Sequence, residues 1–546
     1  MLALLLAAQT LAVPQQRPPQ LAPPTTATIR GHVFGADTTQ PLRKAQVRLV
    51  QIDIQPGGNA PQSRENRLAT TDLDGKYEFN DLPAGRYNLN ASKGSYVPLS
   101  WGQEQPNEPG KPLDVLDGET IERVDFTLPR GSVITGRIVD EFGEPMAGVM
   151  IAAVRSQVIN GQRRMAPTGR AVQTDDLGEF RLFGVPPGQY YVQATWRRVG
   201  PMDPTSPDRT GYPVTFFPGA TDIANAQRFT IGVGESVTDL AMALSPLNRA
   251  TVSGTVVDTD GRPAGSIPLM IVQSTGNGFM TVGNMVRPDG TFSLALSPGD
   301  YTLRTAPTAG RKEIGSVALT VGTDDIGDLR IVMSLPATIA GRIVVDPAQA
   351  LSLPPGLMLM AIPFVPGPMP GNSPARVAED LSFELTAPLT GRVRLNVNNL
   401  PPAWAIHSVR VNSVDVIDDG IELKPNQNIS GVEVELTNQL TSVMGTVTTS
   451  GGDAAKNYTV VFFPADDKRW NPGSRYLRTA RPDQDGRFKI FGLPPGEYNV
   501  LAVDRLDQGQ NTDPEYLERI SSRASRFTLM DRETKTLDLR LDTSRP

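Results

Sequence analysis

The chain has 546 residues, no cysteine, a formal net charge of −6 and a pI near 5.3. Its length exceeds what one hydrophobic core serves. The missing thiols exclude disulfides, thiolate metal sites and a cysteine nucleophile, and an acidic balance with no basic stripe argues against nucleic acid as a partner.

Residues 1–25 open with MLALLLAAQTLA, an apolar run ending in small residues, followed by VPQQRPPQLAPPTT. This is the pattern of a signal peptide cleaved after Ala12 and a Pro/Gln-rich spacer. The expected localisation is therefore outside the cytoplasm: periplasm, outer surface or extracellular. No later stretch reaches the ~18 apolar residues of a spanning helix, so no membrane span is expected in the mature chain.

From residue 26 onward, three landmarks recur in a fixed order. The first is an alternating strand around a glycine: ATIRGHVFG at Gly31, SVITGRIVD at Gly136, ATVSGTVVD at Gly254, ATIAGRIVV at Gly341 and SVMGTVTT at Gly445. The second is a turn and hairpin: TDLDGKYEFNDLPAGRYNLNAS from Thr71, TDDLGEFRLFGVPPGQYYVQAT from Thr174, VRPDGTFSLALSPGDYTLRTAP from Val286, a worn AEDLSFELTAPLTGRVRLNV from Ala378, and RPDQDGRFKIFGLPPGEYNVLAV from Arg481. The third is a closing strand: IERVDFTL, VTDLAMAL, IGDLRIVM, SGVEVELT and TKTLDLRL. Repetition of this kind decides the fold before any residue-level reading. It divides the chain into 26–130, 131–246, 247–335, a divergent 336–438, and 439–546. Short alternating strands with turn signals between them make each unit a β-sandwich, and the fold class an all-β tandem array of about five such domains. Short connections such as SPLNRATVSG suggest beads on a semi-rigid string. In the fourth unit, AIHSVRVNSVDVIDDGIELKPNQNISGVEVELT reads as a longer hairpin added to the sandwich.

Within the hairpin, Phe180 and Leu182 alternate with Glu179 and Arg181, and Tyr190, Val192 and Ala194 with Gln189, Tyr191 and Gln193. Period-two alternation gives one buried and one wet face. Asp-Gly and Asp-x-x-Gly are turn chemistry. Tyr87, Tyr190, Tyr301 and Tyr498, shortly after the second turn's glycine, are expected to bury their rings and tie their hydroxyls to nearby backbone. Asp72 and Asp74 resemble half a calcium loop, but strand begins at once and the fuller ligand set is missing. No metal and no cofactor is expected.

These motifs resemble the carboxypeptidase regulatory-like domain family, through G-x-[IV] in the first strand, TDxxGxFxFxxLPPGxYxLxA in the middle and a VDFTL-type closure. The resemblance is strongest in the first, second and fifth units. It implies transthyretin-like or immunoglobulin-like β-sandwiches, grouped with the carbohydrate-binding-like fold and near collagen-binding B-type repeats. It also implies exported or cell-surface bacterial proteins, often beside peptidases, outer-membrane receptors or adhesins. The Lys–Asn crosslink of B-type repeats is not expected, because the first strands of the first three units lack Lys and their closing strands lack Asn.

No catalytic residue is assigned. His32 and His407 are the only histidines, and neither has neighbours at metal-ligand spacing. Neither a G-x-S-x-G elbow nor a phosphate-cradling loop is present. What remains is aromatics in apparent loops: Tyr96 and Trp101, then Tyr212, Phe216 and Phe217, then Phe462, Phe463 and Trp470. Ring platforms flanked by Asp, Gln and Asn suit sugars, against the plainer reading that they cover the sandwich edge. The expected function is non-enzymatic: an exported binding or structural protein of the bacterial envelope, with a polysaccharide or another envelope protein as partner. The alternatives are a carbohydrate-binding protein using the aromatic loops, and an accessory subunit of an outer-membrane transporter or peptidase.

Overall fold

The computed structural model describes residues 26–544 except 54–65, 104, 107, 160–161, 197–209, 276–277, 309, 347–352, 354–355, 365–373, 388–390, 402, 472 and 508. The signal-peptide reading of residues 1–25 lies outside the described residues. Nearly all regular structure is β, as the alternation implies.

The layout of the first segment sets the pattern. Strand Ala27–Gly35 runs antiparallel to Lys76–Leu82 and parallel to the closing strand Phe126–Leu128. A second sheet orders Asn66–Thr70, Gln46–Asp53, Gly85–Ser92 and Leu99–Ser100. Ile29, Val33, Leu49, Tyr77, Tyr87 and Leu89 meet between the sheets in one cluster. Ser132–Val139, Ala250–Val257 and Ala337–Val344 repeat the arrangement: each has the hairpin strand antiparallel on one side and the closing strand parallel on the other. Each lies over its own apolar cluster. Ser442–Thr448 has the same two neighbours, but its closing strand Thr534–Asp542 also pairs with Gly496–Val503, which fuses this segment into one seven-stranded sheet.

That parallel pair explains the landmark glycines. A Cβ at Gly31, Gly136, Gly254, Gly341 or Gly445 would overlap the backbone carbonyl of Val124, Leu240, Leu329, Val432 or Leu537 on the closing strand. Close backbone approach selects glycine there. In the turns the reason is the dihedral angle: Gly75, Gly178, Gly290 and Gly486 have φ of 72°, 72°, 82° and 80°, open to glycine without steric cost. Leu381 takes that place in the divergent segment at φ 64°, so the turn persists where its glycine signature is lost.

The turn carboxylates serve the backbone. Asp72 Oδ1 accepts from the Asp74 and Lys76 N–H groups at 2.9 and 2.8 Å. Asp175 and Asp483 do the same in their turns. The hairpin tyrosines bury their rings, and Tyr87, Tyr301 and Tyr498 donate their hydroxyls to the Pro83, Ser297 and Pro494 carbonyls at 2.7, 2.8 and 2.7 Å. Tyr190 is equally buried, but its hydroxyl finds no partner among the described residues.

In the fourth segment Ala405–Val411 pairs with the closing strand Asn428–Thr437 and turns into Val414–Asp415, which is the added hairpin. The helix Pro514–Ser521 was not expected. Asp513 caps it by accepting from the Glu515 N–H at 3.1 Å, proline stands at its first turn, and Tyr516, Leu517 and Ile520 are buried. Proline pre-sets φ at that position without losing a helical bond.

A string of beads does not describe the assembly. The last segment packs on the first, second and fourth. Gln484, in the last hairpin turn, donates Nε2 to the Asp114 carbonyl at 2.9 Å, and its Oε1 accepts from the Asp114 N–H at 3.3 Å. Lys111 Nζ donates to the Lys456 carbonyl at 2.6 Å. Gly509 lies so close to the Val158 carbonyl that a side chain would not fit. Short linkers constrain sequence neighbours and leave distant contacts undetermined.

Candidate functional site

The loop aromatics do not form one surface. Phe462 and Phe463 are fully buried, and Phe216 is 8% exposed, which corrects their reading as exposed platforms. For Phe462 and Phe463 the cause is the strand Thr459–Pro464, buried throughout its length; Phe216 lies on the short strand Thr215–Phe216, paired with Gly188–Thr195. Val460 and Phe462 face the inter-sheet core, and Val461 and Phe463 face the cluster capped by the helix Pro514–Ser521. Trp470 packs edge-on against Phe463 at 5.8 Å and donates Nε1 to the Pro464 carbonyl at 2.9 Å. Tyr96 and Trp101 are half-buried against the first core. Tyr212 and Phe217 are half-buried against the second, with the Tyr212 hydroxyl donating to Glu141 Oε2 at 2.7 Å. These are three separate groups in three segments. Among the described residues no three His, Asp or Glu side chains gather to hold a metal ion. His32 Nδ1 lies 3.3 Å from Asp125 Oδ1.

A different place brings functional side chains together. A cleft of about 810 Å³ lies where the first, fourth and last segments meet. Strand parity fills it with charge: the alternation that turns Tyr87, Val393 and Leu395 inward leaves Arg86 and Arg394 facing out. The last segment adds Arg469, Arg475, Arg478 and Arg481, and Lys489 from the strand Arg487–Phe491. Among the described residues, Asp418 is the one carboxylate in the lining.

Asp418 is already engaged. Arg475 donates Nε to Oδ1 at 2.8 Å and Nη2 to Oδ2 at 3.3 Å, and the Tyr476 hydroxyl donates to Oδ2 at 2.8 Å. Burial would raise this carboxyl, but the Arg475 guanidinium and the Tyr476 hydroxyl together hold it below its ordinary value. Burial disfavours the charge on Arg394, which donates to the Gly473 carbonyl and lies 4.3 Å over the Phe364 ring. Arg481 bridges segments, donating to Thr459 Oγ1 at 3.1 Å, Asn457 Oδ1 at 3.0 Å and the Gly102 carbonyl at 3.2 Å. Arg469 caps the Tyr476 ring and Lys489 the Phe491 ring, each at 4.6 Å. The arrangement suits recognition of negative charge by fixed, planar cations.

Sequence reasoning missed this cleft. One local signal existed, the arginine density of DDKRWNPGSRYLRTAR around Trp470. Arg86 and Arg394 join it through the tertiary fold alone.

Comparison with solved structures returns weak overall superpositions. A streptococcal ancillary pilin matches at 15% identity and TM-score 0.22, covering 56% of this chain and 98% of its own. The minor pilin of Streptococcus agalactiae matches at 17% identity and TM-score 0.24, covering 41% and 97%. The Bacillus anthracis TIE protein matches at 11% identity and TM-score 0.14, covering 94% and 73%. The search against curated proteins returns no match. The family profile for the carboxypeptidase regulatory-like domain matches twice, each time spanning the first strand and the central hairpin. The chain therefore carries two carboxypeptidase regulatory-like domains, at residues 28–129 and 133–205.

Proposed function

We propose that the chain is a non-enzymatic, exported binding and structural protein of the bacterial envelope. Segments 26–130, 131–246, 247–335, 336–438 and 439–546 serve as its β-sandwich units. The observation that carries this reading is the docking of the last segment onto the first and fourth through Gln484, Arg481 and Arg475. It turns a repeat array into a scaffold around a shared cleft. The repeated motifs support it too, because their Asp and Tyr side chains and their glycines are spent on turns and packing. Export rests on the apolar run before Ala12 and the spacer after it. The aromatic-loop version of sugar binding keeps Tyr96, Trp101, Tyr212, Phe217 and Trp470 as contacts and loses Phe216, Phe462 and Phe463 to the core.

Protein expressed from its own start codon in its host is expected in the envelope or medium with an N-terminus near Val13. An intact Met1 in the cytosol overturns export. Turnover of ester, peptide or glycoside substrates by the purified chain overturns the non-enzymatic reading.

A further inference from the structure

We propose that the cleft between the first, fourth and last segments binds an acidic oligosaccharide, a chain of carboxylate-bearing sugars. This deepens the binding reading above and rests on it. The first ground is charge. Six arginines and Lys489 line the cleft, with Asp418 the one carboxylate among its described lining residues, in a chain whose net charge is −6. Arg475 pairs with Asp418, and just outside the lining Asp114 pairs with Arg86 at 3.4 Å and Asp466 with Arg469 at 3.7 Å. Seven cations against these three carboxylates leave positive charge in excess, and low-dielectric walls concentrate its potential. Guanidinium groups match carboxylates in planar, two-point contacts. Desolvation already disfavours the Arg394 charge, so an anion entering beside it recovers interaction that burial has removed.

The second ground is which surfaces are left open. Arg469 and Lys489 cover the rings of Tyr476 and Phe491, and Trp404 is 8% exposed. A neutral sugar would find no bare ring to stack on, so charge must carry the recognition. The third is the presence of the Asn88, Asn396 and Asn471 amides in the lining. An amide both donates and accepts, as a sugar hydroxyl does, so each Asn can pair with a hydroxyl in either role. The volume of about 810 Å³ falls within the range of small-ligand sites and leaves room for a short oligomer.

Titration calorimetry of the full chain tests this with three probes: a galacturonate tetramer, its fully methyl-esterified neutral form, and poly-glutamate. The acid tetramer is expected to bind, less tightly as salt is raised, and the ester to give no heat. Arg478 and Lys489 are exposed on strands at the cleft, so the double variant Arg478→Glu/Lys489→Glu should keep the parent melt and lose about tenfold or more in affinity. If that variant melts lower, Arg478→Gln/Lys489→Gln takes its place with the same expectation. Absence of heat with the acid tetramer, equal binding of the ester, or undiminished binding by the folded variants overturns the proposal. Tighter binding of poly-glutamate also overturns it, assigning the cleft to an acidic protein segment. Cell location and substrate turnover are read separately, so failure here leaves the envelope reading standing and the reverse also holds.

Discussion

Tyr87, Tyr190, Tyr301 and Tyr498 hold one place in the hairpin and all bury their rings, yet only three of them close a hydrogen bond to the carbonyl four residues earlier. An unpartnered buried donor is a cost that phenylalanine would not carry, whereas losing one partner of a made bond strands the other. Tyr498→Phe is therefore expected to destabilise its segment by about 1–3 kcal/mol, and Tyr190→Phe to be neutral or stabilising. Segment-resolved hydrogen exchange under urea distinguishes the two, and equal losses would show that Tyr190 has a partner in solution. The ring positions were legible because parity is local. The missing hydroxyl bond was not, since it depends on how the turn at Gly188 settles against the ring. Phe462 and Phe463 show the same limit: VVFF in a loop-like context gives no hint that both faces of its strand will be covered.

At the scale of the element, the helix Pro514–Ser521 is what covers the second face. Its start signal, Asp513-Pro514-Glu515, is in the sequence but lies between the repeated landmarks, outside the pattern that fixes the strands. Burial pushes the Tyr516 phenol up to about 12, against an ordinary value of about 10. The folded state thus holds this proton more tightly than the unfolded chain. The resulting stabilisation is complete below about pH 10 and is lost as pH rises through about 12. Raising the pH from about 9 to about 12 is expected to loosen the helix and the cluster around Phe463. Tyr516→Phe should flatten that decline in a pH series of urea melts. An unchanged slope would mean that Tyr516 titrates normally.

Across the whole molecule, contacts between residues 345 and 370 positions apart tie the last segment to the first, and no local pattern announces them. The pairing of each first strand with its hairpin and closing strands was readable because each landmark is local, but the return of the chain on itself was not. Solution scattering is expected to give a compact envelope, with a maximum dimension well short of segments laid end to end. Asp418→Ala removes the acceptor shared by Arg475 and Tyr476 and should lengthen that dimension while leaving the far-UV circular dichroism unchanged. An extended profile for the parent chain would remove the basis for a shared cleft. The parallel pairing of first and closing strands bears on mechanics as well. The two strands point the same way, so the chain enters each copy at one end of the pair and leaves at the other. Tension applied along the chain then slides one strand past its neighbour and loads their hydrogen bonds together. Each copy resists stretching as a glued lap joint does, with its strength set by the length of the overlap.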